Sequence, residues 1–579
     1  MTKNVQRETY REVSFFFILL TLTLLVAVQG SAQEGSPRRS ASSPSQVMAA
    51  AFSSWKVMKP EWGAVEEANY IRYVTMVGEG VANGLCATVS ECFRNSRVNP
   101  YAFTNPAGLR FFSDCADFPY FLRAYYAWQN QLPFGFVESV SPIQGQNQVV
   151  KDIRYSPYGN IVQRRYSVLA RKSILGRSKY PNAIDIFNNI LPNLISSANY
   201  RVSYKGMDTD NLFSDFYPIK ITRDSIQPGT VVYDPNGHVV TIYKITRDGR
   251  LYYIDAHPDN SLTSGLYNSR FIRSYPGQGA GFKNWRPLRL SGASWDATRG
   301  YYGGRIIGAK DRELPLYSTE QYYGTSASPD WKQAQFAFQG KSMDYYDWVR
   351  NRLADGPLVE NPLDDIKIMT QELCNGVQER VVAVQVALTA GFNQREHPSR
   401  LPNNIYGADG DWETYATPAR DARLKVAFKE LRTYVEEALH HYKSHDGKVD
   451  YHGGDLAGDM LKVYKQTASE CPITYKNSAG RRVTINLEQA RERIYKLSFD
   501  PYHCAELRWG AEGKELNSCR DSRTKRLWYD REQWLRYQHE RNTDAFTGFT
   551  VNEITGPMPG AGVPSGQDLD VIAFLSRNH

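Results

Sequence analysis

Two changes of periodicity along this 579-residue chain bound what it can fold into. Residues 48–82 carry a helical pattern, and another helix is predicted to begin near Ser113-Asp114 and stop near Pro133. Within it, Phe118, Phe121, Leu122, Tyr125 and Trp128 recur at helical spacing and put aromatic bulk along one face. Residues 184–195 read as a further helix. The pattern breaks at Pro228-Gly229. Residues 230–233, 238–245 and 251–254 are short β-branched or aromatic runs, separated by Asp234-Pro-Asn-Gly237 and Asp248-Gly249. Turn residues bounding such runs predict a small antiparallel meander. Beyond Lys341 the helical period returns, over about 342–353, 362–389, 418–443, 487–497 and 525–539. Thr417-Pro418 is a start signal, a capping hydroxyl followed by proline at the first helical position. Helices followed by strands predict an α+β domain over residues 50–310. Residues 311–340 then connect it to a mainly helical, disulfide-containing domain at 341–579. No repeat of fixed period is evident.

The N-terminus sets the compartment. Lys3, Arg7 and Arg11 precede an apolar run at 15–28, and Gly30-Ser31-Ala32 follows. That is the layout of a secretory signal peptide over residues 1–32. The run is shorter than the ~20 residues a spanning helix needs, although an uncleaved anchor is the alternative. Residues 33–49, rich in serine and proline, read as a solvated linker. The expected location is therefore periplasmic or secreted. A formal charge of +8 suits anionic surroundings such as wall polymers or lipid headgroups, so association with the cell envelope is compatible. The basic residues are dispersed among acids and form no dense arm, which argues against nucleic acid.

Export changes how the seven cysteines read, because an odd count in an oxidising compartment leaves at least one thiol without an internal partner. Cys86 and Cys92 lie close together, as do Cys504 and Cys519, and Cys374 and Cys471 can join across the C-terminal region. With those pairings Cys115 is left over. Six cysteines allow 15 connectivities, and plain buried thiols are the other reading.

Cys115 follows Ser113-Asp114 at the start of the aromatic-rich helix. A thiol attacks a carbonyl as thiolate, and a helix N-terminus lowers its pKa. The base must come from elsewhere in the chain. His238 opens a strand after the turn Asn236-Gly237, where a stiff backbone can hold an imidazole facing the thiol. A third polar group should orient that ring. On the next strand Asp255 and His257 project on one face. Asp255 is preferred, because a carboxylate also stabilises the charged ring, and His257 is the reserve. The backbone N–H of Cys115, with Tyr101 or Asn105, would supply an oxyanion donor pair.

Ser113-Asp114-Cys115-Ala116-Asp117-Phe118 opening a helix resembles the nucleophile motif of the NlpC/P60 and related papain-like hydrolases. Pro228-Gly229-Thr-Val-Val-Tyr, then Gly237-His238-Val-Val-Thr-Ile-Tyr, is similar to that group's proline-glycine, strand, glycine-histidine-valine, strand pattern. Ile254-Asp255-Ala256-His257-Pro258 sits where the family places its third catalytic residue. The resemblance covers about residues 110–260. It implies a papain-like fold for the first domain and hydrolysis of amide bonds through a thioester acyl-enzyme. Family members often act on peptidoglycan stem peptides, so a peptide or peptidoglycan substrate is implied, with no cofactor and no metal. The insertion between Cys115 and His238 is longer than in compact members. The aspartate at the third position also resembles transglutaminase-like proteins, which makes acyl transfer to amines an alternative. A non-catalytic exported binding module on the same fold is another.

Three weaker signals read as structure. His440, His441, His445 and His452 cluster locally, and His441 and His445 are four apart, but they lack the glutamate of a metalloprotease motif. Asp409-Gly-Asp411-Trp-Glu413 lacks the remaining spacing of a calcium loop. Residues 277–281 lack the lysine and helix start of a phosphate loop.

Overall fold

The computed structural model describes residues 53–145, 150, 152–172, 178–205, 207–273, 276–406, 410–445, 449–539 and 546–579. The expected signal peptide and linker, and Asp409, lie outside the described residues. The chain is of mixed helix and sheet, as the alternation of periods predicts.

Helix α1 (Ala64–Ala82) and helix α2 (Asp117–Gln129) pack on one face of an antiparallel sheet. Almost every residue of α2 is buried, as expected of a helix apolar around its whole circumference. Its one cation, Arg123, is compensated: it forms a two-pronged pair with Glu67 at 2.6 and 2.8 Å and lies 3.4 Å above the Trp62 ring. A hairpin, β1 (Gly135–Pro142) with β2 (Asn160–Ser167), follows α2 and lies in the stretch between Cys115 and His238.

The sheet has six strands: β3 (Phe216–Pro218), β4 (Val231–Asp234), β5 (His238–Ile245), β6 (Leu251–Ala256), β7 (Leu262–Leu266) and β8 (Gly281–Trp285). Their spatial order is β3-β8-β4-β5-β6-β7, and every neighbouring pair is antiparallel. The predicted meander is its β4-β5-β6 centre. Val231, Tyr233, Val239, Ile254 and Ala256 face α1 and α2, while Val232, Val240, Ile242 and Tyr253 face the other side. Helix α1 approaches β5 closely at Gly78, where a Cβ would lie 2.1 Å from the Tyr243 ring.

Helix α3 (Tyr345–Leu353) falls in the stretch that reads as helical from residue 341 onward, yet it does not join the helical core. Tyr345, Trp348, Val349 and Leu353 fill the second face of the sheet with Val232, Val240 and Ile242. The helical core proper combines α4 (Pro362–Thr389), α5 (Pro418–Ser444), α6 (Leu456–Ser469) and α7 (Val571–Asn578) around Leu373, Val377, Phe428, Leu431, Met460 and Leu575. The start signal at Thr417 works differently from the expectation. Its hydroxyl caps no backbone N–H; it donates to Asp421 Oδ2 at 3.1 Å, and Asp421 in turn pairs with the buried Arg380 at 2.7 Å.

Cystines join Cys86 to Cys92, Cys374 to Cys471 and Cys504 to Cys519, leaving Cys115 as the one free thiol. Among the described residues no helix is long and apolar enough to cross a membrane.

Candidate functional site

Cys115 occupies the turn that leads into α2. The Asp114 carboxylate accepts from the N–H groups of Ala116 and Asp117 at 2.9 and 3.0 Å, and Phe118 N–H donates to the Asp114 carbonyl. The helical ladder thus begins at Asp114, and the thiol lies in its first turn. Two effects on the thiol then oppose each other. A helix N-terminus favours thiolate, but burial, and then the Asp114, Asp255 and Glu413 carboxylates, push the Cys115 thiol well above its ordinary value. The net direction is upward, so the resting sulfur is protonated at neutral pH.

Cys115 and β5 meet at the strand's first residues. The thiol points to the Gly237 carbonyl at 3.8 Å, and the Val239 N–H is directed at the sulfur. These are the backbone groups on either side of His238. The turn that delivers them is closed by Gly237 N–H donating to the Asp234 carbonyl and Asn236 N–H to the Asp234 carboxylate. It needs φ of +88° at residue 237, a value that glycine adopts without strain.

His238, Asp255 and His257 come together on adjacent strands. His238 Nε2 lies 2.8 Å from Asp255 Oδ2, and Thr263 on β7, directly opposite Asp255, donates its hydroxyl to Oδ1. His257 Nε2 is 3.0 Å from the Thr263 hydroxyl and 3.8 Å from Asp255 Oδ2, and its ring stacks parallel to that of His238 with centroids 6.4 Å apart. Burial alone would raise the Asp255 carboxyl; the two imidazoles and the Thr263 hydroxyl outweigh it and hold Asp255 well below the usual carboxylate range. Burial, with Arg420 and His238 adding to it, takes His257 down to about 4 despite the attraction of Asp255. At neutral pH His257 is therefore a neutral ring beside a carboxylate.

The expected oxyanion partners are committed elsewhere. Asn105 donates its amide to the Phe93 and Ala102 carbonyls and accepts from Tyr125, and the Tyr101 hydroxyl accepts from Asn130. Both buttress α2.

The helical region closes over the pair. A cavity of about 30 Å³, room for a water or two, lies beside His238 and Asp255 and is walled by Arg270, Glu372, Glu379, Arg420 and Arg423. Glu372 of α4 accepts from the Leu266 N–H at 2.9 Å, Arg250 pairs with Asp365, and Tyr434 of α5 donates to Asp365 at 2.8 Å. Glu413, whose charge acts on the thiol, pairs with Arg154 at 3.7 Å. Sequence reasoning missed all of these, because no local pattern announces which distant helix covers a strand. A larger cleft of about 840 Å³ runs between α3, α4 and α5, but none of Cys115, His238 and Asp255 lines it.

The discounted signals stay structural. His445 ends α5 in the left-handed conformation, the His452 side chain is 94% exposed, and 276–278 is a single turn leading into β8. Outside the sheet, His397, Asp500 and Glu532 present donor atoms within 4.8 Å of one another in the helical region. Set against protein-family models, curated proteins and solved structures, the chain matches none.

Proposed function

We propose that the chain is an exported cysteine hydrolase with a papain-like, NlpC/P60-related domain, cleaving amide bonds in peptide or peptidoglycan through a thioester acyl-enzyme. Cys115 is the nucleophile, His238 the general acid and base, and Asp255 the group that orients the ring. The observation that carries this reading is the meeting of the one unpaired cysteine with the backbone at His238, whose Nε2 is already engaged by Asp255 at 2.8 Å. With Nε2 so held, Nδ1 is the nitrogen that takes the thiol proton and returns it to the leaving amine. Attack by sulfur gives a tetrahedral oxyanion; its collapse expels the amine and leaves a thioester, which water then hydrolyses.

The raised thiol and the small cavity at His238 argue that the form described is a resting one. Cys115 itself is half-buried, so a peptide would reach the sulfur from its exposed side, while α4 and α5, tied to the sheet by the Arg250–Asp365 pair and by Glu372, cover His238 and Asp255. The test is chemical. An electrophilic peptide probe should label Cys115 and no other residue, and Cys115→Ala should abolish both labelling and amide hydrolysis while shifting Tm by no more than about 1 °C. Full hydrolysis by Cys115→Ala removes the mechanism. Product in which added amines are joined to the acyl group would assign acyl transfer instead.

A further inference from the structure

A second buried histidine–carboxylate cluster, which shares no residue with the Cys115 site, is assembled from three separate stretches of the helical region. His397 follows α4, Asp500 and His503 lie in the loop after the helix Leu487–Glu492, and Glu532 sits between helices Arg523–Arg531 and Gln533–Arg536. Each of the four side chains is at most 1% exposed. His397 Nε2 is 2.6 Å from Asp500 Oδ2; His503 Nε2 is 3.6 Å from that same oxygen and 3.4 Å from Glu532 Oε2.

The outward atoms of these groups are anchored. His397 Nδ1 is 2.6 Å from the Pro398 carbonyl. His503 Nδ1 is 3.2 Å from Asp521 Oδ2, and the Asp521 carboxylate is itself held by the Cys504 N–H. Asp500 Oδ1 accepts from the Tyr502 N–H at 2.7 Å, which turns Oδ2 inward. The inward atoms are not satisfied to the same degree. Neither oxygen of Glu532 has a hydrogen-bond partner, and neither has His503 Nε2. Neighbouring guanidinium groups do not fill the need. Arg536 Nη1 makes only a long ion pair with Glu532 Oε2, at 4.0 Å, while its other nitrogens serve Tyr495 and Gln533; Arg508 donates one nitrogen to Thr417, and Arg536 Nη1 and Arg508 Nε and Nη1 make no hydrogen bond. Buried carboxylates are almost always paired or bound to a metal.

We propose that His397 Nε2, His503 Nε2, Asp500 Oδ2 and Glu532 Oε2 hold one divalent transition-metal ion of the zinc class. On a tetrahedral ion with bonds of ~2.0–2.2 Å, neighbouring donor atoms sit about 3.4 Å apart. The His503–Glu532 and His503–Asp500 separations already come within a few tenths of an ångström of that. His397 and Asp500 must part by about 0.8 Å, and the donor atoms of His397, Asp500 and Glu532, which lie within 4.8 Å of one another, must draw in around the ion together with His503. Each imidazole offers Nε2 inward with Nδ1 on a carbonyl or carboxylate, the outer shell that fixes tautomer and aim in metal-binding histidines. Two imidazoles in the set select a zinc-type ion over calcium or magnesium. Four protein donors with no exposed face make the ion structural, pinning three stretches of chain beside the Cys504–Cys519 bridge. The site shares no residue with the cysteine site and stands whether or not Cys115 is catalytic.

The full-length protein, purified with zinc in the medium and dialysed exhaustively, should carry about one zinc per chain by mass spectrometry. Stripping with dipicolinate should lower Tm by several degrees, and zinc should restore it; Co2+ should give the visible absorption of a four-coordinate ion. Asp521→Asn keeps all four ligands and the fold, and should weaken zinc binding 10–100-fold. Glu532→Gln should abolish stoichiometric binding if it folds, and Asp521→Asn decides the matter if it does not. Zinc-free protein that takes up no Co2+ and keeps its Tm in dipicolinate overturns the site in favour of a metal-free ion network. Metal uptake undiminished in Asp521→Asn also overturns it, since the ion would then sit elsewhere.

Discussion

The two buried histidine–carboxylate clusters of this chain are built to different degrees of completeness. In the sheet, both oxygens of Asp255 are engaged, one by the Thr263 hydroxyl and one by His238. In the helical region, neither oxygen of Glu532 makes a hydrogen bond although the side chain is as deeply buried, and Oε2 has only the long contacts to His503 and Arg536. The first cluster is satisfied by protein alone, and its one reactive element is the neighbouring thiol. The second leaves carboxylate oxygens without a hydrogen bond, the opening that the proposed ion would fill. Burial by itself does not tell the two apart; the hydrogen bonds to the carboxylate oxygens do.

The largest expected effect comes from breaking the satisfied cluster. Asp255→Asn should lower kcat/KM by about 10²–10⁴-fold, because the amide presents a donor where His238 needs an acceptor and so favours the wrong tautomer. Steady-state hydrolysis with parallel melting curves checks it, and the melting point should move little. Next comes the frame of the helical region. Replacing Cys374 and Cys471 by serine opens a loop spanning 97 residues and should cost about 4–5 kcal/mol in the chain-entropy account, against about 2 kcal/mol for the Cys86–Cys92 pair. Denaturant unfolding of the two double variants, with zinc present throughout, ranks them.

A smaller effect is tied to pH. Burial, reinforced by Asp255, lifts Glu379 to about 7 against the pull of Arg423, Arg420 and Arg270. The folded carboxyl thus holds a proton that the unfolded chain has already released. Its contribution to closure is complete below pH ~4.3 and is lost as pH rises through about 7. Cys115 labelling should therefore climb more steeply between pH 6 and 8 (roughly the span over which this group ionises) than in Glu379→Gln. The smallest effect sharpens the thiol itself. Asp114→Asn retains a good helix cap but removes the carboxylate charge beside the sulfur, so alkylation of Cys115 at neutral pH should be several-fold faster.

Much of the sheet was legible because hairpins are local. The runs at 230–233, 238–245 and 251–254 appear as β4, β5 and β6 within two residues, their ends marked by Gly237 and Gly249. Helices α4 and α5 were equally readable, since proline at the first position and a long apolar stripe need no partner to be seen. The hairpin β1–β2 was missed because its half-exposed residues carry a weak alternation; helix α6 was missed although its apolar residues do recur along one face. Helix α3 was seen as a helix, but its core was not, because the same apolar stripe fits the sheet or a helix bundle.

Composition, periodicity and motif order were enough to single out Cys115, His238 and Asp255, because a nucleophile at a helix start and a base at a strand start are each set by a few neighbouring residues. Which helix roofs them, that Thr263 completes Asp255, and that His397, Asp500, His503 and Glu532 converge were decided only by the packed chain. Those contacts join residues up to 135 positions apart, and the distance between such positions is set by the whole core rather than by any segment of it.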